Sequence, residues 1–280
     1  MSDVAQAIRD ATTRLATASD TARLDAELLM AHALNLSRSE TLLHAMRDPA
    51  PEAFDALVAR RAAHEPVAYI TGSAEFYGLE LQVSPAVLIP RGDSETLIEA
   101  AQEHFADREA PQRILDLGTG SGALLLAALS LWPEAEGVGI DASMPALRLA
   151  QCNASKLGMA ERCRFLRRSW RKGDWRRDLR TFDLILCNPP YVEDDAPLDT
   201  QVRQHEPASA LFAGPEGLDD YRILIPQVGH LLTRNAITIF EIGAAQQNAV
   251  GEIAQNQGFA PCFCNDLAKR PRAMIVSQSF

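Results

Sequence analysis

With 280 residues, of which 47% are hydrophobic and 23% charged, the chain has ordinary globular composition, which excludes a disordered or fibrous class and suits two domains, one of them small. A formal net charge of −10 argues against a surface given over wholly to nucleic acid, and no apolar run is long enough to span a bilayer. Met1-Ser2-Asp3-Val4 lacks the basic-then-apolar layout of a secretory signal, and five irregularly spaced cysteines argue against a disulfide framework, so a cytoplasmic protein is expected.

Residues 1–64 read as a small helical domain. An Ala-rich stretch over residues 3–18 gives way to Ser19-Asp20, a helix-start signal before Leu24, Leu28, Leu29, Ala31 and Leu34, and Asn35 ends that helix. A short helix near Ser39–Ala45, a break at Pro49 and Pro51, and an amphipathic run from Glu52 to Ala63 complete it. His32, His44, His64 and His104 are not paired at metal spacing, and Cys262-x-Cys264 has no matching Cys or His pair, so no metal site is expected. Residues 65–90 form a linker with hairpin character, Val67–Gly72 and Phe76–Val83 being the two arms around glycines. An extended segment, Ser84–Arg91, then runs into a helix starting near Asp93 or Ser94.

From Arg113 the pattern is strand, glycine-rich turn, helix, repeated. Ile114–Leu117 is a buried strand, Gly118-Thr119-Gly120-Ser121-Gly122 a tight turn and Ala123–Leu131 an apolar helix. Val138–Asp141 is the next strand, followed by a helix over Ser143–Leu157 and strands near Cys163–Leu166 and Phe182–Cys187. A helix near Leu218–Leu232, a strand at Ile237–Ile242, a helix at Ala245–Gln257 and strands near Phe259–Cys264 and Ala273–Val276 close the chain. Such alternation predicts an α/β fold over residues 91–280, a doubly wound, mostly parallel sheet with helices on both faces.

The glycine turn lets a ligand approach backbone that a side chain would block, and it aims helix N–H groups at what binds. Asp141, ending the second strand, is placed to accept both hydroxyls of a ribose. Gly118-x-Gly120-x-x-Ala123 also satisfies the relaxed dinucleotide fingerprint, so a nicotinamide-dependent oxidoreductase has to be weighed. Two features favour S-adenosylmethionine. Asp116 stands just upstream of the turn, where it can hold the cationic amino group of the methionine moiety. Asn188-Pro189-Pro190-Tyr191 follows the Phe182–Cys187 strand on one stiff path, and its prolines bring no N–H. Its acceptors, Asn188 Oδ1 and the Pro189 carbonyl, grip an NH2 group, and the ring of Tyr191 is expected to cover a planar amide or aminopurine. Hydride transfer wants a donor that polarises a carbonyl; methyl transfer to nitrogen fits better.

Charge is uneven. Nine of the 27 basic residues lie between Arg162 and Arg180, against two acidic ones there. The segment is either a solvated loop and helix face or a patch that meets RNA or an acidic partner; any nucleic-acid contact is expected only there.

Asp116–Gly122 together with Asn188–Tyr191 resembles the Rossmann-like amino-methyltransferases, which include adenine-N6 DNA methylases and protein-glutamine N5 methylases. Glu65–Gly72, Val83-Ser84-Pro85 through Leu88-Ile89-Pro90-Arg91, Glu206–Leu211 and Gly217-Leu218-Asp219-Asp220-Tyr221 narrow this: the chain is similar to the release factor N5-glutamine methyltransferases from its helical N-terminus to its final strands. The resemblance implies a seven-stranded sheet, S-adenosylmethionine as methyl donor with S-adenosylhomocysteine as product, and a class-1 release factor as substrate, methylated on the glutamine of its Gly-Gly-Gln loop. It carries cofactor or substrate contact onto Gly118–Gly122, Asp141, Trp170 and Asn188–Tyr191, and makes the helical domain the recognition module. The family usually has Pro-Arg-Pro-Asp-Thr-Glu where this chain has Pro90-Arg91-Gly92-Asp93-Ser94-Glu95, and Asp where Ser169 precedes Trp170. Adenine in DNA and a ribosomal-protein glutamine are the alternative acceptors, and a binding protein that has lost turnover is the alternative of another class.

Overall fold

A computed structural model describes residues 2–277; Met1 and the expected end of the second domain at 280 lie outside them. The chain up to Ser73, with Leu198–His205, forms one compact unit, and Ala74–Pro197 with the chain from Glu206 forms another.

The first unit is helical: α1 (Val4–Leu15), α2 (Ala22–Leu34), α3 (Arg38–Glu40) running into a π-helical turn at Thr41–Ala45, α4 (Ala53–Ala62) and α5 (Val67–Thr71). Asn35 ends α2 in the left-handed region at φ 53°, and Ser37 with Glu40 caps α3 reciprocally. Ile8, Leu15, Leu29, Met30, Phe54 and Val58 make its core. Inside it Arg61 Nε donates to Asp25 Oδ2 at 2.6 Å with both side chains nearly buried. Asp25 also accepts the Ser19 and Thr21 hydroxyls, so its charge is fully partnered.

The hairpin arm expected over Val67–Gly72 is a helix instead. Pro66 precedes it with extended backbone, the three-residue spacing of Val67 and Ile70 turns both toward the helical core, and Gly72 ends it at φ +76°. The hairpin is shorter: β1 (Ser73–Phe76) and β2 (Leu79–Gln82), joined through Tyr77 and Gly78, both at positive φ.

The second unit continues with α6 (Glu95–Phe105), β3 (Arg113–Leu117), α7 (Ala123–Leu131), β4 (Glu136–Asp141), α8 (Met144–Lys156), β5 (Cys163–Arg167) and β6 (Phe182–Cys187). Then come α9 (Thr200–His205), which belongs to the helical unit, α10 (Asp219–Val228), β7 (Leu232–Glu241), α11 (Gln247–Asn256), β8 (Cys262–Asn265) and β9 (Pro271–Ser277). The sheet order is β5-β4-β3-β6-β7-β9-β8, parallel from β5 to β7, with β9 antiparallel to both its neighbours. Alternate residues of β3 and β6 serve two cores. Ile114, Leu184 and Leu186 pack with α6 and α7; Leu115, Leu117 and Ile185 pack with α10 and α11. Helices on both faces explain why these strands read as continuous apolar runs.

The chain winds from β3 through β4 to β5 and then returns to lay β6 on the other side of β3. That reversal leaves a crevice beyond the carboxyl ends of β3 and β6, the place where doubly wound sheets bind ligands.

Candidate active site

Strand register assembles the site. Ile140, Leu117, Cys187 and Phe240 are successive partners across β4, β3, β6 and β7. The next residue in each strand is therefore Asp141, Gly118, Asn188 and Glu241, four side-by-side exits at one end of the sheet. A cavity of about 580 Å3 opens there, walled by Asp116, Gly118, Thr119, Gly120, Ser121, Asp141, Trp170, Asn188 and Pro190, with the Ala86–Arg91 segment, Ser94 and Asp220 completing much of its rim. Its size suits a ligand of cofactor dimensions. Gly122, Pro189 and Tyr191 do not line it.

Main-chain bonds shape the glycine turn. Gly118 N–H and Thr119 N–H both donate to the Ile140 carbonyl, at 2.8 and 2.9 Å, and Gly122 N–H donates to the Thr119 carbonyl at 2.7 Å. Gly118 sits at φ +79°, and a Cβ there would lie 3.2 Å from the Trp170 ring and 3.7 Å from the Asn188 carbonyl. Asp141 accepts Gly120 N–H at 3.0 Å on one oxygen and Ser143 N–H at 2.8 Å on the other. Each oxygen keeps a lone pair for a ligand. Burial raises its carboxyl above the usual range, and those N–H groups oppose the rise.

Asp116 is 1% exposed in the middle of a buried strand. Thr119 donates to its Oδ2 at 2.7 Å, while its Oδ1 has no hydrogen-bond partner among the described residues. Burial pushes this carboxyl up to about 7, with Asp141 adding repulsion and the Thr119 hydroxyl and the Leu125 backbone N–H opposing the rise. A buried acceptor left open on a cavity wall wants a cationic donor. That open acceptor, the Asp141 lone pairs and the close approach at Gly118 fit an adenosyl cofactor with a charged amino group.

Trp170, after β5, is carried by a residue that no motif reading assigned. Its Nε1 donates to Asp220 Oδ1 at 2.6 Å, and Arg171 pairs with Asp220 Oδ2 at 2.9 Å. Asp220 is fully buried in the first turn of α10. Its acid-before-tyrosine setting gave no sign that a tryptophan fifty residues earlier needed it. The basic segment around Trp170 is partly consumed by the fold. Arg162 donates to the carbonyls of Leu129, Trp132 and Ala135, Arg167 to that of Ala142, and Trp175 is buried with its Nε1 on Gln227.

At the proline turn, Asn188 Nδ2 donates to Ser94 Oγ at 3.4 Å, and its Oδ1 has no donor among the described residues. Ser94 Oγ in turn donates to Glu241 Oε2. Tyr191 does not cover the cavity as expected. Its ring packs against the core beside α10 and α11, and its hydroxyl donates to Glu241 Oε1 at 3.2 Å, because a half-buried phenol needs an acceptor and the strand-end acid supplies one. Gln246 Nε2 donates to the Tyr191 carbonyl at 2.9 Å. Gly217, at φ +65°, lies so close that a Cβ would be 2.3 Å from that carbonyl oxygen. Glu241 is 1% exposed, and burial raises its carboxyl. The entry segment is fixed by Glu206, which accepts Ile89 N–H at 3.3 Å and pairs with Arg91. Ser94 and Asp220 stand in motifs that the sequence shows, but nothing there gives their roles or those of Glu241 and Gln246; an acid at the end of a buried strand, like Asp141, is the one signal for Glu241.

Residues 6–72 match the family described as PrmC N-terminal domain, and residues 109–258 match a methyltransferase domain. A release factor glutamine methyltransferase of Bradyrhizobium diazoefficiens is 44% identical over 80% of this chain and 77% of its own length. Another, of Moorella thermoacetica, is 40% identical over 90% of both. Among solved structures, a ribosomal protein L11 methylase of Lactobacillus delbrueckii subsp. bulgaricus shares the fold at TM-score 0.51 and 22% identity, over 71% of this chain and 86% of that one. Among the described residues no helix is long and apolar enough to cross a membrane. With both of its units matched and the relatives aligned over most of its length, the chain belongs to the release factor glutamine methyltransferase family.

Proposed function

We propose that this chain transfers a methyl group from S-adenosylmethionine to the N5 amide nitrogen of the glutamine in the Gly-Gly-Gln loop of class-1 release factors. Family membership supports the reading, and one observation carries its chemistry: Asn188, with an unpartnered Oδ1, shares a cavity wall with the glycine turn and the orphaned acceptor of Asp116. When bound, S-adenosylmethionine supplies a methyl group on a positively charged sulfur.

Everything else falls to the chain. Asp116 Oδ1 takes the ammonium of the methionine moiety, Asp141 the ribose hydroxyls and Trp170 one side of the adenosyl group, while Gly118 to Ser121 admit it against the backbone and Gly122 turns the chain into α7. Asn188 Oδ1, on the cavity wall, accepts one N–H group of the substrate amide; the Pro189 carbonyl, which the sequence offers for the other, does not line the cavity. An amide nitrogen is a poor nucleophile because its lone pair is delocalised into the carbonyl. A fixed acceptor orients that nitrogen and favours the positive charge that develops on it. The C–N bond would form at the expense of the S–CH3 bond, leaving the thioether product, and the N–H proton would then pass to solvent, so this chain needs no dedicated base beforehand. Pro190 walls the site, and Tyr191 secures the turn through Glu241. The helical unit recognises the release factor.

The test is to incubate the protein with labelled cofactor and a class-1 release factor, then localise the mass shift. A single methyl on the Gly-Gly-Gln glutamine is expected; an unlabelled release factor, or label on DNA or a ribosomal protein instead, contradicts the proposal.

A further inference from the structure

Ser94 has no part in the chemistry above and Glu241 only anchors Tyr191, yet both are buried beside Asn188. A hydroxyl has one proton to give, and that of Ser94 goes to Glu241 Oε2. The other carboxylate oxygen of Glu241 is occupied by the Tyr191 hydroxyl at 3.2 Å. Toward Asn188, Ser94 therefore shows only a lone pair, and the side-chain amide turns its Nδ2 to it at 3.4 Å. With Ser94 4% and Glu241 1% exposed, little water reaches either of them. The two ends of an asparagine amide have nearly the same shape, so packing alone does not choose between them. Hydrogen-bond polarity must choose.

From this geometry we infer that Ser94, held as a donor by Glu241, fixes which end of the Asn188 amide faces the cavity, and is thereby a positioning residue for the substrate amide. The inference rests on the role proposed for Asn188. Reversed, Asn188 would set its own NH2 against the NH2 of the substrate, two donors facing each other with no acceptor between.

The test uses two substitutions of one shape, Ser94→Thr and Ser94→Val, of which only the first keeps a hydroxyl. Ser94→Thr should retain turnover, and Ser94→Val should lower kcat roughly 10- to 100-fold, with cofactor affinity by calorimetry unchanged. Glu241→Gln should add little to the loss in the Ser94→Val background, since both act through Asn188. Equal losses in the Thr and Val variants, or none in either, would overturn the relay. A second readout does not depend on turnover. In protein labelled with 15N-asparagine, the side-chain NH2 signal of Asn188, assigned by its absence in Asn188→Asp, should shift and exchange faster with solvent in Ser94→Val but not in Ser94→Thr. An unmoved signal in Ser94→Val contradicts the inference even if wild-type protein methylates; a wild-type protein that leaves release factor unlabelled defeats the proposed function, and the NMR comparison still decides the relay.

Discussion

Two turns leave neighbouring strands at the same level and are built in opposite ways. The turn after β3 has glycines at 118, 120 and 122 and is held by its own main chain and that of β4, through bonds from Gly118 and Thr119 to the Ile140 carbonyl. The turn after β6 is stiffened by two proline rings and held by side chains remote in sequence: Ser94 on Asn188, Glu241 on Tyr191, Gln246 on the Tyr191 carbonyl. The first turn clears space so that a ligand can come to the backbone. The second presents one side chain at a fixed angle. A site that must admit a cofactor needs permissive backbone, whereas one that must orient a weak nucleophile needs an overdetermined acceptor.

Glycine substitutions on the two sides should break the molecule in different ways. Of the two, Gly217→Ala has the larger expected effect. Its Cβ would stand 2.3 Å from the Tyr191 carbonyl oxygen at φ +65°, so the proline turn has to move. Displacement on the ångström scale costs about a hundredfold in rate, and turnover should fall by about that much while calorimetry shows cofactor affinity nearly kept. Gly118→Ala is its counterpart. Left-handed backbone costs an alanine about 1–2 kcal/mol, and the added Cβ presses on Trp170 at 3.2 Å. Cofactor affinity should drop about tenfold, with kcat at saturating cofactor less affected. If both variants lose affinity and rate in parallel, the division between the turns does not hold.

A smaller effect sharpens the cofactor side. Burial raises the Asp116 carboxyl to about 7, so it is neutral below that pH and charged above it. A cation bound at Oδ1 favours the charged form and lowers its pKa in the complex, so binding releases a proton near neutrality. Cofactor affinity should therefore be full above about pH 7 and fall as pH drops below it. Calorimetry at pH 6 and 8 measures this; Asp116→Asn should weaken binding and flatten the dependence.

The same contrast governs what could be read in the sequence. The glycine turn, Asp141 and Asp116 were legible because their requirements are local: positive φ, an acid at a strand end, an acid inside an apolar run. The sheet followed from the strand and helix alternation. The supports of the proline turn were not legible, since nothing near Ser94 says that a strand ending at Glu241 will lie beside it. Asp220 is hidden for the same reason, fifty residues from the indole it holds. Val67–Thr71 was misread because Val, Tyr, Ile and Thr favour strands, and packing of Val67 and Ile70 against the helical core outweighed that preference. The place of Tyr191 next to Asn188 in the sequence says nothing of the buried carboxylate that claims its hydroxyl.

The division of labour between the turns is tested most directly at Asn188. In Asn188→Ala, cofactor affinity by calorimetry should stay within about threefold of wild type, while single-turnover methylation of a release factor falls by two orders of magnitude or more, on the order of what loss of one transition-state acceptor costs. Equal losses in affinity and in rate would make Asn188 a cofactor ligand and contradict the account.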